Sequence, residues 1–129
     1  MTLTTDHARN LADQLLQAAT AIDGFLDSEW ETITRPQYDA MNESGKTLLR
    51  VSSFCTTEAV GLSLVEMEET ADSLTTVIVD ARGSIQALNE ARLGIQISAG
   101  LADLAAGIIA KNPKAVGKAA KNLRKLLDD

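Results

Sequence analysis

Residues 93–110 read LGIQISAGLADLAAGIIA, eighteen positions in which only Gln96, Ser98 and Asp103 are polar. Gly94, Ser98, Ala102, Ala106 and Ala110 recur at every fourth position, and on a helix they form one ridge of small residues that lets another helix approach closely. Leu93, Ile97, Leu101, Leu104 and Ile108 form a second, bulkier stripe. A helix that is apolar on two sides has to be covered on both. By length the segment also suffices to cross a membrane, but an Asp near its centre costs about 2.5–3.5 kcal/mol on insertion scales, so burial against other helices is the expectation.

The same spacing extends upstream. Leu64, Met67, Ala71, Leu74, Ile78, Ala81, Ile85, Leu88, Arg92, Ile95, Ala99, Ala102, Ala106 and Ile109 alternate steps of three and four, with Arg92 alone out of character. A continuous helix over 64–110 would have 47 residues and run roughly 70 Å at about 1.5 Å per residue. Two structures satisfy this pattern. One is a long coiled-coil-like helix pairing with another chain, and the other a helix broken near Gly83 or Gly94 that folds back. Ser63 and Glu66 have capping-box spacing and place its start at Leu64.

Further upstream, Leu11, Leu15, Ala18, Ile22 and Phe25 make one stripe of a first helix, capped by Thr4 or Thr5 and ending between Ser28 and Ile33. Thr34 and Gln37 form a second capping box, with Pro36 in the first turn and with Ile33 and Tyr38 in hydrophobic-staple positions. That helix carries Met41, Gly45, Leu48, Cys55 and Ala59 and ends near Gly61. Downstream, Asn112 followed by Pro113 starts a last helix that reaches about Leu127. No segment alternates with the period of a strand. The fold class is therefore all-α: a helical bundle of three to five helices with one long helix and a short basic C-terminal helix, in a single domain over 1–129.

Charge is segregated along the chain. Residues 1–92 hold 15 acids and 6 bases, net −9, whereas 93–129 hold 3 acids and 6 bases, net +3; the sum is the −6 of the whole chain. Lys114, Lys118, Lys121 and Lys125 share one face of the last helix, opposite Val116, Ala119, Ala120, Leu123 and Leu127. This basic face either rests against the acidic part of the protein or meets an anionic membrane surface. Net acidity, and the lack of any aromatic in 55–129 on which a base could stack, argue against nucleic acid.

The sequence offers little to catalysis. With one His and one Cys the chain has no intramolecular disulfide and no zinc site built from three or four His and Cys ligands. Cys55 reads as a small core hydrophobe. Residues 40–47, AMNESGKT, fit a relaxed nucleotide-loop pattern, but a helix start precedes them where a phosphate loop needs a strand, and Glu43 would aim a carboxylate at the phosphates. Glu66, Glu68, Glu69 and Asp72, with Glu58 ahead of them, read as acids favoured by a helix N-terminus rather than as metal ligands, because His7 lies far away in the N-terminal segment. No catalytic, cofactor-binding or metal residues are expected. No apolar leader precedes Asn10, so a cytoplasmic location is expected.

The functional expectation is a non-enzymatic interaction or scaffold protein, a homo-oligomer with a dimer favoured, self-associating through Leu88, Ile95, Ser98, Ala102, Ala106 and Ile109, and open to a further protein partner. The competing expectation is association with a membrane surface through residues 93–127, with Lys114, Lys118, Lys121 and Lys125 on anionic lipid.

Overall fold

The computed structural model describes residues 2–87 and 91–128, and it is all-α. Among the described residues six helices follow one another: α1 (Thr5–Glu29), α2 (Arg35–Glu58), α3 (Leu64–Met67), α4 (Ala71–Ala87), α5 (Ala91–Ile109) and α6 (Pro113–Asp128).

The starts of the helices sit where the capping residues put them. Thr4 Oγ1 accepts from the His7 backbone N–H, and His7 Nδ1 accepts from the Thr4 backbone N–H, closing a capping box with histidine as the reciprocal member. Thr34 and Gln37 close the second box in the same way. Ser63 caps α3 through the Glu66 N–H, but only this half of the expected box forms. Gly24 does not break α1, whose stripe of Leu11, Leu15, Ala18, Ile22 and Phe25 is buried throughout.

The expected rod over 64–110 is divided. After one turn, Glu68 adopts a left-handed conformation with φ 58°, and its N–H and that of Glu69 close back onto Val65 and Leu64 as a Schellman motif. Thr70 and Ser73 then exchange backbone-to-side-chain hydrogen bonds at 2.9 Å to open α4. Gly83 and Gly94 themselves lie inside helices, but the second break falls between them, where α4 ends at Ala87 and α5 begins at Ala91, so of the two expected structures the broken helix that folds back is the one formed.

The remainder of the rod folds back. Asn10 donates to Thr75 at 3.2 Å, and Arg82 reaches Gln14 and Gln17, so α4 runs parallel to α1. Ser52 bonds the Ala12 carbonyl at 2.8 Å while Gly45 packs on Ile22, which makes α2 antiparallel to α1. Gly94 abuts Met41 near the start of α2, and Lys111 and Pro113 lie beside Val60–Ser63 beyond its end, so α5 runs parallel to α2. Hence α4 and α5 point in opposite directions. The expected seam residue Leu88 lies outside the described residues.

Helix α5 is covered on two sides, by α2 and α6. Ile97, Leu101, Leu104 and Ile108 are all fully buried. At about 1.5–3 kcal/mol for each buried large side chain, they outweigh the roughly 1 kcal/mol by which each of Gly94, Gly100 and Gly107 weakens a helix. Two of those glycines admit α6: a Cβ on Gly107 would meet Val116, and one on Gly100 would meet Leu123. The chain reverses between α5 and α6 through a second Schellman motif, with Lys111 at φ 53° and Asn112 N–H on the Gly107 carbonyl. The N-terminus is pinned as well, by a bridge between Thr2 and Ser63 and a 2.8 Å bond from Leu3 N–H to the Leu62 carbonyl.

The tightest approach lies between α6 and α3. A Cβ built on Gly117 would stand 2.2 Å from the Met67 carbonyl oxygen, a backbone atom that cannot move aside without displacing the Glu68 turn. Gly117→Ala is expected to destabilise the protein by about 2 kcal/mol, an overpacking penalty that exceeds any gain in helix propensity; urea unfolding followed by circular dichroism measures it.

Candidate functional site

Three surfaces carry the residues singled out by their chemistry. The first is the side of α5 that neither α2 nor α6 covers. Ile95 and Ile109 are half-buried, Ala102 is half-buried, and Ala99 and Ala106 are exposed. These five follow steps of four, three, four and three, so they make a single straight seam. Of the expected self-association residues, Ile95, Ala102, Ala106 and Ile109 are brought together here. Ser98 is not among them: it is fully buried within the chain, and its hydroxyl has no hydrogen-bond partner among the described residues. Leu88 lies outside the described residues. Arg92 is exposed at the near end of the seam.

The second surface is the outer face of α6. Lys114, Lys118, Lys121 and Lys125 are all exposed, while Val116, Ala119, Ala120 and Leu123 are buried. Lys121 pairs with Glu68. One turn on, Arg124 grips Glu69 with both guanidinium nitrogens, Nη1 to Oε2 at 2.8 Å, and Ser73 Oγ donates to the same carboxylate at 2.9 Å. The Glu69 side chain is only 3% exposed, against 38% for Arg124. Arg124 was not singled out in the sequence because it lies off the lysine face; its register, seven residues after Gly117 on the side that meets α3, is the signal that marks it.

Electrostatically the clasp favours charge. Burial opposes ionisation of Glu69, but the hydrogen bonds from Arg124 and Ser73 and the attraction of Arg124 and Lys121 outweigh it, holding the carboxyl below the ordinary glutamate range. The bond from Lys121 lowers Glu68 in the same direction. The acidic cluster is thus partly spent on docking α6, and among the described residues no group of three His, Cys, Asp or Glu side chains is placed to hold a metal ion. Residues 40–47 lie within α2, with Gly45 packed on Ile22, so they form no phosphate loop. Burial pushes the Cys55 thiol up to about 11, which leaves it protonated and unreactive at neutral pH.

The third surface went unread in the sequence. At the tip of the α1–α2 hairpin, Leu26, Asp27, Trp30, Ile33, Tyr38 and Asp39 are among the residues lining a groove. Tyr38, which stands in staple position to Ile33, is 36% exposed, and Trp30 is 63% exposed. The available signal was the rarity of aromatics: of Phe25, Trp30, Tyr38 and Phe54, only Phe25 is buried. Comparisons of the chain with protein-family models, with curated proteins and with solved structures find no match.

The clasp makes a pH prediction. A carboxylate whose folded-state pKa is depressed contributes stability that is fully present above its unfolded value, near 4.5, and lost as pH falls through the lower folded value. Thermal stability is expected to decline below about pH 4.5, and to decline less steeply in Glu69→Gln. At neutral pH Arg124→Ala, which strands a buried carboxylate, is expected to cost about 2 kcal/mol, between the values for exposed and buried pairs; calorimetric scans from pH 3 to 7 (roughly the span over which the linkage acts) test both.

Proposed function

We propose that the chain is a non-enzymatic helical interaction protein that self-associates as a dimer through the open face of α5. The observation that supports this reading is the seam itself. Ile95, Ala99, Ala102, Ala106 and Ile109 keep the spacing of a helix–helix contact, and with Ala91 and Leu93 at the start of the helix they are apolar positions of α5 left without full cover once α2 and α6 have packed. Alanines at three successive seam positions let two copies of α5 lie about 8 Å apart, the near limit of helix packing, with a crossing angle near +20° expected from the alternating steps of three and four. Two half-covered isoleucines would cap that contact at its ends. A two-fold axis through Ala102 makes the surface complementary to itself, as a closed dimer requires.

Light scattering and sedimentation at micromolar concentration are expected to give a dimer mass. Ala106→Glu, at a position exposed in the single chain, should keep full helicity and weaken dimerisation at least tenfold, about 1.4 kcal/mol. Ala99→Glu is an independent check from the next turn. A monomer mass for the parent chain refutes the reading.

One observation favours a second reading, association with a membrane. By length and composition α5 is sufficient to cross one: its apolar window has a mean hydropathy of 1.3 and is 44% buried within the fold. Against this, the apolar stripe of α6 is already buried, so insertion or adsorption of 93–127 requires the α5–α6 hairpin to open. Flotation with anionic vesicles, comparing the full chain with one ending at Ala110, separates the two readings. Under the favoured reading neither floats; capture of the full chain alone assigns binding to α6.

A further inference from the structure

The hairpin tip differs in kind from the α5 seam. It concentrates two of the three exposed aromatics in a groove of about 620 Å³, room for one or two inserted side chains and too small for a helix. Trp, Tyr and Arg are the residue types that most often dominate binding energy at protein interfaces, and Trp30, Tyr38 and Arg35 all line this groove. Most of the Trp30 side chain is exposed.

The charge around the groove says what it would accept. Residues 23–43 hold Asp23, Asp27, Glu29, Glu31, Asp39 and Glu43 against the single base Arg35, net −5. Arg35 lies 3.4 Å from Asp39 with both side chains largely exposed, and among the described residues the other five acids have no ion-pair partner. An anionic lipid, nucleotide or acidic peptide would be repelled here. A Lys or Arg side chain fits both parts of the groove: its alkyl stem lies along Leu26 and Ile33, and its charged head meets the Asp27 and Asp39 carboxylates and the faces of Trp30 or Tyr38.

We infer that the tip groove of the α1–α2 hairpin is a docking site for a basic segment of a partner protein, one that presents Lys or Arg beside an apolar residue. The occupant is argued from charge complementarity and from the aromatic and aliphatic walls that suit an alkyl-cation side chain. The inference does not depend on self-association through α5, which uses different residues.

Trp30 is the chain's single tryptophan, so its fluorescence reports on the groove without a label. The probe is a soluble twelve-residue peptide with four lysines and two leucines, and its control carries glutamate for each lysine. The lysine peptide is expected to shift Trp30 emission saturably, to bind at least tenfold more weakly when salt is raised from about 50 to 300 mM, and to lose at least tenfold in affinity to Tyr38→Ala and to the exposed pair Asp27→Asn with Asp39→Asn. Calorimetric titration of Trp30→Ala, where the reporter is gone, should show the same loss. The proposal is overturned by an equal response to the glutamate peptide, by no saturable response, or by undiminished binding to the asparagine pair. It is also overturned in favour of a second copy of the chain if emission changes with the protein's own concentration and that change disappears in Tyr38→Ala.

Discussion

The structure depends above all on giving α5 cover along two sides at once. Its inward residues Ile97, Leu101, Leu104 and Ile108 cannot face water, and α2 alone reaches only one flank. The second flank is closed by α6, which has to lie unusually near. That approach needs Gly107 opposite Val116 and Gly100 opposite Leu123, and it needs the chain to reverse within a few residues after Ile109. The left-handed Lys111 provides the reversal, at a conformational cost that a non-glycine residue bears only where the surrounding packing holds it. The charges follow the same geometry: Lys121 and Arg124 fall beside Glu68 and Glu69 because Gly117 brings the α6 backbone onto the end of α3.

The helix starts were legible because each depends on a few local residues. Thr4, Thr34, Ser63 and Asn112 all stand at the starts that their side chains predict, and the buried stripe of α1 matches its spacing position for position. The break near Gly83 and Gly94 was legible as one of two alternatives, but the break at Glu68 was not, for a physical reason. The steps of three and four pass through Glu68 without a change of phase, and a residue that adopts a left-handed turn without being glycine leaves no mark in composition. Which side of a helix is buried can be read from spacing when one face is apolar. On α5 nearly every position is apolar or small, so spacing alone could not tell the flank under α2, which takes Ser98 inward, from the flank left open at Ala102 and Ala106. The tip groove escaped notice because Tyr38 satisfies a local staple pattern with Ile33, and that local pattern says nothing about exposure.

The segregation of charge along the sequence is only partly resolved within the fold. Two of the six bases between Lys111 and Lys125 face acids of the α3–α4 junction, and Lys111, Lys114, Lys118 and Lys125 remain on the surface without an ion pair among the described residues. Among the described residues the acids of the hairpin tip are likewise without ion pairs, Asp39 excepted. Helix α6 closes beside α3 and the first turns of α4, whereas the tip lies where α1 ends and α2 begins, so a fold built mainly by apolar burial keeps its acidic and basic surfaces apart.

That separation bears on how the two apolar openings can be used. The α5 seam is lined by alanine and isoleucine, and the charges at its border are of both signs, Asp103 and Lys118 beside Ala106 and Arg92 at the near end, so it can meet its own copy without setting one charged region against a like one. The tip cannot do so: two tips brought face to face would set one net −5 region against another, and at separations below the Debye length, about 8 Å at physiological salt, that repulsion is not screened away. Whatever covers Trp30 and Tyr38 therefore has to bring positive charge with it, whereas whatever covers Ala102 and Ala106 has only to match their shape. The two openings thus call for different occupants, and both can be filled at the same time.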